Sequence, residues 1–357
     1  MELFEAGHEQ IVIREDAASG LKAIIAVHST ACGPAMGGCR HWFYPAPQDA
    51  LRDALRLSEG MTYKNVMADL PFGGGKAVIL GSPERRLSTR QLETFGRWVE
   101  ELGGRYVTAE DVGMQVADMQ VIARRTRYVS GLGTAGVGGD PSPRTAEGVL
   151  RGIEAAVRFR LGAESLAGIR VAVQGLGNVG FHLATLLAER GAELRVADID
   201  PERVRRAEKA FGATAVAVDA VLAADVDVVA PCALGGVVDE RSISALQAVV
   251  VAGAANNQLA TPAMGDTLAR RGVLYAPDYV INAGGVISIA HEYLGLNDPA
   301  WVESRIAGIT ERLEQIFRRA QETGRATSRV ADEMARERLA AAPGRRQAPS
   351  ESRVARL

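Results

Sequence analysis

The stretch "VAVQGLGNVG", Val171–Gly180, decides the fold of the second half of the chain. A short apolar run ends at Gln174, and three glycines in G-x-G-x-x-G spacing follow it. The residues after them have helical periodicity and end at Gly191. A strand that turns directly into a helix through such a loop is typical of the first βα unit of a parallel sheet.

The glycines predict a dinucleotide site at this turn. Gly175 allows the tight turn, Gly177 lets a pyrophosphate approach the backbone, and Gly180 lets the helix pack closely on the strand. The helix N-terminus offers free N–H groups and the positive end of its dipole to an anion. The predicted cofactor-binding residues here are Gly175, Leu176, Gly177, Asn178, Val179 and Gly180. The alternative is that these are turn glycines that bind nothing.

An acidic residue follows at the end of the next predicted strand, "ELRVADID". Asp198 comes 18 residues after Gly180, where a carboxylate would accept hydrogen bonds from a ribose diol. The same charge would repel a 2′-phosphate, so the sequence favours NAD over NADP as the cofactor. Arg203, Arg205 and Arg206 lie close by in the chain and weaken this preference slightly.

Strands and helices alternate outward from this point, which predicts an α/β fold with a parallel sheet. The first third also looks α/β, with a strand at "KAIIAVHST" and helices near 48–61 and 89–102. The Gly- and Pro-rich stretch 131–143 reads as a linker or hinge. We therefore predict an N-terminal α/β domain at 1–134, a Rossmann-type domain at 135–323, and a C-terminal segment at 324–357 with a disordered tail.

Composition excludes several function classes. The 357 residues carry a net charge of −2, which argues against a nucleic-acid partner. Apolar runs fall short of the ~20 residues that span a bilayer, so no membrane segment is expected. The acidic start of the chain lacks a signal-peptide layout, and three scattered cysteines fit reduced thiols in a cytoplasmic protein. The five histidines form no metal motif, so no metal site is expected.

A second glycine-rich stretch is "DLPFGGGKAVIL", Asp69–Leu80. It is not a phosphate-binding P-loop, because Leu70 and Ala77 stand where that motif needs Gly and Ser or Thr. We interpret its glycines as backbone stripped of side chains so that a substrate and a nicotinamide can come close, and "GPAMGGCR" at Gly33 as another glycine-rich turn. Lys64, Lys76 and Asp111 nearby suggest an anionic substrate and proton transfer.

Taken together, the motifs resemble one enzyme family, the Glu/Leu/Phe/Val amino-acid dehydrogenases. The motifs that carry the resemblance are "GPAMGGCR", "GMTYKNVMADLPFGGGKAVI", "TAEDVG", "VQGLGNVG", "APCALGG", "AGAANNQL" and "YAPDYVINAGGVI". The resemblance extends from about Ile24 to Ala342 and is strongest to the leucine and valine branch. It implies reversible oxidative deamination of an L-amino acid to a 2-oxo acid and ammonia, with NAD taking the hydride.

The resemblance also implies a layout. The N-terminal domain would bind substrate, the Rossmann domain would bind NAD, and a cleft would separate them. A C-terminal helix would return to the first domain. A homo-oligomer is expected on the same ground.

Site residues follow from the motifs by the same resemblance. Lys64 would bind the substrate carboxylate, Lys76 would activate the water that attacks the imino carbon, and Asp111 would exchange protons with the amine or ammonia. To act as a base, Lys76 must be neutral for part of the cycle, which burial and a second cation favour. Arg40 is a weaker candidate for contact with the cofactor or the carboxylate. Thr145, Ala233 and one asparagine of "ANNQ", with Asn256 favoured over Asn257, would lie near the nicotinamide.

The family's side-chain pocket corresponds to Met36, Ala109, Val286 and Ile289, with Gly37 beside them. All four pocket side chains are apolar, and burying a glutamate carboxylate among them would cost several kcal/mol. Leucine, valine or isoleucine is therefore favoured as the substrate, and phenylalanine is the alternative. His291 stands where leucine and valine relatives carry an acid. A hydroxy-acid dehydrogenase and a non-catalytic NAD-binding protein are the competing interpretations of the same fold.

Overall fold

The structure is a computed structural model that describes residues 7–82, 84–133 and 140–342. The chain divides into two units. The first contains the described chain up to Asp140, Ser288–Pro299, and the described chain from Ala335 onward. The second contains Pro141–Ile287 and Ala300–Met334. The predicted boundary at 134/135 and the tail predicted to be disordered, from 343, lie outside the described residues.

The first unit is built on a five-stranded mixed sheet with the order β1-β2-β4-β3-β5. Its strands are β1 (Gln10–Asp16), β2 (Leu21–Ser29), β3 (Ala35–Trp42), β4 (Gly73–Leu80) and β5 (Tyr106–Glu110). β4 pairs antiparallel with β2 and parallel with β3, which also pairs parallel with β5. The helices of the N-terminal segment are α1 (Pro47–Met67), α2 (Thr89–Glu100) and α3 (Val116–Ile122).

Helix α1 covers the sheet beside β4. Ala50 and Ala54 of this helix form one buried cluster with Ile24 and Ala26 of β2 and Val78 of β4. Small alanine side chains let the helix lie close to the strands, because close-packed interiors leave little unfilled space. This packing brings the last turn of α1, which carries Lys64, toward the first residues of β4.

The glycines of "DLPFGGGKAVIL" have a different role from the one we expected. They belong to β4, which begins at Gly73, and all three are buried. A Cβ on Gly73 would overlap the Ser29 carbonyl, and one on Gly74 would overlap the Thr62 backbone nitrogen of α1. At Gly75 it would lie 2.7 Å from the Tyr106 ring. The glycines therefore fit the strand against protein atoms, and the interpretation that they make room for a substrate and a nicotinamide was wrong.

"GPAMGGCR" is also mostly strand rather than a turn. β3 begins at Ala35, and a Cβ on Gly37 would overlap the carbonyl oxygen of Gly75 in the neighbouring strand. Glycine is depleted in strands generally, so its use here marks a close approach of two backbones.

The second unit contains a six-stranded sheet in which every pairing is parallel, with the order β11-β10-β9-β6-β7-β8. Its strands are β6 (Arg170–Gln174), β7 (Glu193–Ala197), β8 (Thr214–Ala215), β9 (Val228–Pro231), β10 (Val250–Val251) and β11 (Leu274–Tyr275). From β6 the chain winds outward to β8, and then crosses back to β9 and winds the other way. This confirms the predicted Rossmann-type sheet, and it places the reversal of strand order between β6 and β9.

The helices from Ser142 onward are α4 (Ser142–Leu161), α5 (Asn178–Glu189), α6 (Pro201–Phe211), α7 (Glu240–Ala245), α8 (Ala263–Arg270), α9 (Asp278–Ile281), α10 (Gly284–Tyr293), α11 (Pro299–Thr323) and α12 (Thr327–Ala341). The last two helices, α11 and α12, are separated by a break at Gly324, whose φ is +66°. None of the helices in the described ranges is long and apolar enough to cross a membrane.

Candidate active site

A buried ion pair in the first unit joins Lys76 of β4 to Asp111, which follows β5. Lys76 Nζ lies 2.5 Å from Asp111 Oδ2, and the Lys76 side chain is 7% exposed. Strands β4 and β5 flank β3 on opposite sides, so the sheet order brings the two residues together. A salt bridge this short between a buried lysine and a carboxylate is a charge-assisted hydrogen bond suited to proton transfer.

Arg40 of β3 extends this pair into a network. Its Nε lies 3.2 Å from Asp111 Oδ2, and its Nη1 lies 2.8 Å from Asp53 Oδ2 on α1. The Tyr44 hydroxyl donates to the same Asp53 oxygen at 2.6 Å. Arg40 was expected near the cofactor or a substrate carboxylate; the structure instead pairs it with two carboxylates of the protein.

The charges of this network stabilise ionised Asp111. Burial raises the pKa of the Asp111 carboxyl, but Lys76 and Arg40 outweigh it and lower that pKa to about 2. The Asp111 carboxylate therefore stays charged at neutral pH and can pair with an ammonium group. Asp53 is affected in the same direction: burial raises its pKa, and the hydrogen bonds from Tyr44 and Arg56 bring it below the usual value.

Lys64 and its neighbour Asn65 lie in the last turn of α1. Lys64 is partly buried. Asn65 is fully buried, and its Nδ2 donates to the Gly73 carbonyl at 2.6 Å and more weakly to that of Met36 at 3.4 Å. This amide ties the helix end to the starts of β3 and β4, so Lys64 is anchored to the same two strands that carry Arg40 and Lys76.

Two predicted pocket residues, Met36 and Ala109, lie in neighbouring strands of the first unit's sheet, with Gly37 next to Met36. Met36 and Gly37 are in β3, and Gly38 of that strand is paired with Ala109 of β5. Met36 is 1% exposed and Ala109 is 3% exposed. Val286 belongs to the second unit and Ile289 to the first, although both are in α10. That all four line one pocket stays a prediction.

In the second unit, the glycine-rich loop has the geometry that its sequence predicts. Gly175 has φ +94°, and a Cβ on Gly180 would overlap the Gly175 carbonyl oxygen. A Cβ on Gly177 would meet nothing within 4 Å, so the backbone is open at this position. Helix α5 has no side-chain cap at its N-terminus. Its first N–H groups, at Asn178 and Val179, can therefore serve an anion.

Asp198 has a structural partner that the sequence did not indicate. One carboxylate oxygen accepts from Leu176 N at 2.6 Å, and the other accepts from Asp200 N at 2.8 Å. The side chain is 5% exposed and lies 3.7 Å from Arg203. Asp198 thus fixes the glycine-rich loop to the end of β7. Each carboxylate oxygen has a second lone pair, so the residue can still accept from a ribose hydroxyl.

Ala233 lies beside the glycine-rich loop, and Thr145 lies beside Gly285 at the start of α10. The loop after β9 places the exposed Ala233 against Gly175, since a Cβ there would lie 2.7 Å from the Ala233 Cβ. Thr145 lies in the first turn of α4, where its hydroxyl donates to the Pro141 carbonyl at 2.9 Å. A Cβ on Gly285 would lie 2.7 Å from that hydroxyl oxygen.

The structure separates the two asparagines of "ANNQ". Asn257 adopts φ +53°, and its carbonyl accepts from Gly236 N at 2.7 Å, so its backbone shapes the turn. Asn256 is exposed, and its Oδ1 accepts from Asn282 Nδ2 at 2.8 Å. Asn282 is buried, and its own Oδ1 has no hydrogen-bond partner among the described residues.

Sequence reasoning missed Asn282, Asp53 and Tyr44. For Asn282 a signal existed, since it stands in "NAGG" between two apolar runs. For Asp53 the signal was its place between Ala50 and Ala54 on the buried stripe of α1. Within the described ranges, His, Cys, Asp and Glu side chains form no group of three or more that could hold a metal ion.

Comparison with known proteins assigns both halves of the chain to one family. A sequence profile described as Glu/Leu/Phe/Val dehydrogenase, dimerisation domain, matches residues 8–128, and the Glutamate/Leucine/Phenylalanine/Valine dehydrogenase profile matches residues 197–343. The chain is 48% identical to the leucine dehydrogenase of Geobacillus stearothermophilus over 344 residues, covering 95% of this chain and 94% of that protein. It is also 48% identical to the valine dehydrogenase of Streptomyces virginiae, covering 94% of each chain.

A solved structure agrees with these matches. The L-tryptophan dehydrogenase from Nostoc punctiforme superimposes with a TM-score of 0.85 at 42% identity, covering 96% of this chain and 98% of that one. The similarity to these enzymes extends over nearly the full length of the chain, so it includes the sheets of both units. The chain therefore belongs to the Glu/Leu/Phe/Val dehydrogenase family of amino-acid oxidoreductases.

Proposed function

We propose that this enzyme catalyses the reversible, NAD-dependent oxidative deamination of a branched-chain L-amino acid to the 2-oxo acid and ammonia. The single observation that carries the proposal is the buried contact of 2.5 Å between Lys76 and Asp111. The identity to leucine and valine dehydrogenases supports the substrate class.

The lysines and Asp111 divide the chemistry. Lys64, in the last turn of α1, is proposed to hold the substrate carboxylate. The bound nicotinamide supplies a hydride acceptor for the substrate α-carbon. Lys76 takes a proton from a water molecule as that water adds to the imino carbon. Asp111 exchanges protons with the leaving amine, so the amino acid and water yield a 2-oxo acid, ammonium, a proton and the reduced cofactor.

The residues of the second unit fit a dinucleotide. The open backbone at Gly177 and the uncapped start of α5 suit a pyrophosphate, and Asp198 suits a ribose diol. Asp198 carries a negative charge where NADP would place its 2′-phosphate. NAD is therefore the proposed cofactor. Asn256 and its buried partner Asn282 are proposed to face the nicotinamide side of this site.

The side-chain pocket sets the preferred amino acid. Met36 and Ala109 are buried and apolar, so they offer no partner to a side-chain carboxylate, and glutamate is disfavoured. Leucine, valine and isoleucine suit an apolar pocket. An aromatic substrate is the second candidate, supported by the likeness to a tryptophan dehydrogenase structure and by the small side chain of Ala109. A homo-oligomer is proposed because residues 8–128 match a domain described as a dimerisation domain.

A substrate panel tests the proposal. NADH formation is measured with L-leucine, L-valine, L-isoleucine, L-phenylalanine, L-tryptophan and L-glutamate, and the reverse reaction with 2-oxo acids and ammonium. We expect the highest kcat/KM for a branched-chain amino acid, exceeding that for glutamate by orders of magnitude. Highest activity on an aromatic amino acid would establish the second candidate. Highest activity on glutamate would contradict the pocket argument, and absence of NADH formation would contradict the proposed reaction.

A further inference from the structure

Arg40 touches the proposed catalytic pair without any assigned part in the reaction. It lies in β3, between the strand that carries Lys76 and the strand that leads to Asp111. Arg40 Nε lies 3.2 Å from Asp111 Oδ2, and Lys76 Nζ lies 2.5 Å from the same oxygen. One oxygen of Asp111 is thus held from two neighbouring strands.

A second carboxylate fixes Arg40 in turn. Asp53 Oδ2 receives Arg40 Nη1 at 2.8 Å and the Tyr44 hydroxyl at 2.6 Å, while Asp53 Oδ1 receives Arg56 at 3.0 Å. The Arg40 and Asp53 side chains are only 21% and 15% exposed, so solvent screens their interaction weakly. The two donors of one guanidinium point to two carboxylates, a geometry that the single ammonium of a lysine cannot reproduce.

We propose that Arg40 is a positioning residue of the Lys76–Asp111 pair, and that Asp53 and Tyr44 hold Arg40 in place and balance its charge. The proposal rests on the proposed function. Arg40 acts through the Asp111 carboxylate. It keeps the Asp111 carboxylate turned to Lys76 while protons pass between that pair and the substrate.

The sign of each electrostatic effect follows from the charges around Asp111. Removing the Arg40 cation raises the proton affinity of the Lys76–Asp111 pair. Removing the Asp53 anion leaves the charge of Arg40 less neutralised, which lowers the proton affinity of the same pair. The titratable and charged groups that face Asp111 are Lys76 from β4, Arg40 and Cys39 from β3, and Tyr106 and Glu110 from β5. Because Lys76 and Asp111 are coupled, a pH profile reports the pair rather than either residue.

The test compares pH profiles of kcat/KM for four proteins: wild type, Arg40→Gln, Asp53→Asn and Arg56→Gln. We expect the apparent pKa of the acidic limb to rise by about one unit in Arg40→Gln and to fall in Asp53→Asn. Arg56→Gln is the matched control, because Arg56 binds Asp53 but does not contact Asp111, and its side chain is 56% exposed. Its profile should match that of wild type.

A fifth protein separates charge from geometry. Arg40→Lys keeps the cation but cannot serve both carboxylates, so its acidic limb should stay near that of wild type while kcat falls about 10²-fold. Circular dichroism and thermal melts establish that each variant is folded. If Arg40→Gln does not fold, the pH profiles of Asp53→Asn and Arg40→Lys test the proposal instead.

The outcomes are distinguishable. If Arg40→Gln and Asp53→Asn both keep wild-type turnover and the wild-type pKa of the acidic limb, this inference is overturned and the proposed function stays intact. Shifts of the same sign in both variants would also overturn it, because they would indicate a general structural effect. Absence of wild-type turnover on every amino acid would overturn the proposed function and this inference with it.

Discussion

Lys76 and Asp111 are 35 positions apart in the chain, yet Lys76 Nζ lies 2.5 Å from Asp111 Oδ2. Parallel pairing of β4 and β5 with the strand between them, β3, produces this contact. The lysine side chain is almost fully buried, while the carboxylate is 21% exposed. Stability alone does not explain a buried lysine paired with this carboxylate, because replacing both members of a buried ion pair with apolar residues is often neutral or stabilising.

Replacing Lys76 should abolish turnover in a protein that still folds, because Arg40 still pairs with Asp111 when the lysine is gone. Lys76→Ala removes the base that activates water, so we expect nearly complete loss of kcat with binding of NADH retained. The measurements are steady-state rates and NADH fluorescence titration. Lys22→Ala is the control, since Lys22 lies in the same sheet but forms an exposed pair with Glu15. Near wild-type turnover of Lys76→Ala would remove Lys76 from the mechanism.

Asp111 should contribute a pH-dependent part of the stability. Its folded-state pKa of about 2 lies below the ordinary 3.8, so the contribution is complete above pH 3.8 and is lost as the pH falls toward 2. That shift corresponds to about 2 kcal/mol. We expect Asp111→Asn to be less stable than wild type at pH 6, with a smaller difference at pH 3, by urea denaturation. Asp49→Asn, at an exposed ion pair, is the control. If the difference in stability between wild type and Asp111→Asn is the same at pH 3 and pH 6, the lowered pKa of Asp111 is contradicted.

The second unit could be predicted from the sequence because its signals are local. The alternation of strands and helices and the loop at Gly175 are each contained within a few dozen residues. The structure of the first unit depends instead on contacts between residues that are far apart in the chain. The glycines of β4 indicate a turn by propensity, and only the approach of Thr62 and Tyr106 explains them. Likewise, Arg40 and Asp111 are separated by 71 positions, so no local pattern predicts their contact.

Cofactor preference should depend on the charge of Asp198. We expect wild type to use NAD far better than NADP, and Asp198→Asn to narrow the ratio of their kcat/KM values by about tenfold, because a neutral amide no longer repels a 2′-phosphate. The amide oxygen can still accept from Leu176 N, which keeps the loop joined to β7, although the amide nitrogen cannot accept from Asp200 N as the second carboxylate oxygen does. Asp200→Asn is the control, since Asp200 caps α6 through Glu202 N. Equal narrowing in both variants would indicate a general effect of surface charge.

Two glycine-to-alanine substitutions test why β4 is rich in glycine. A Cβ on Gly74 would overlap the Thr62 backbone nitrogen, which cannot move without displacing α1. Gly74→Ala should therefore destabilise the protein by at least about 2 kcal/mol and reduce turnover, because the displaced strand carries Lys76. Gly60 lies in the interior of α1, and a Cβ there would meet nothing within 4 Å.

Gly60→Ala is thus the matched substitution with the opposite expected sign. Alanine in a helix interior is favoured over glycine by roughly 0.5–1 kcal/mol, so this variant should melt at a higher temperature than wild type. Thermal melts of both variants, with activity measured alongside, provide the comparison. If Gly74→Ala melts at the same temperature as wild type and keeps full activity, the strand tolerates a side chain at this position. Close packing against α1 would then not explain the glycines of β4.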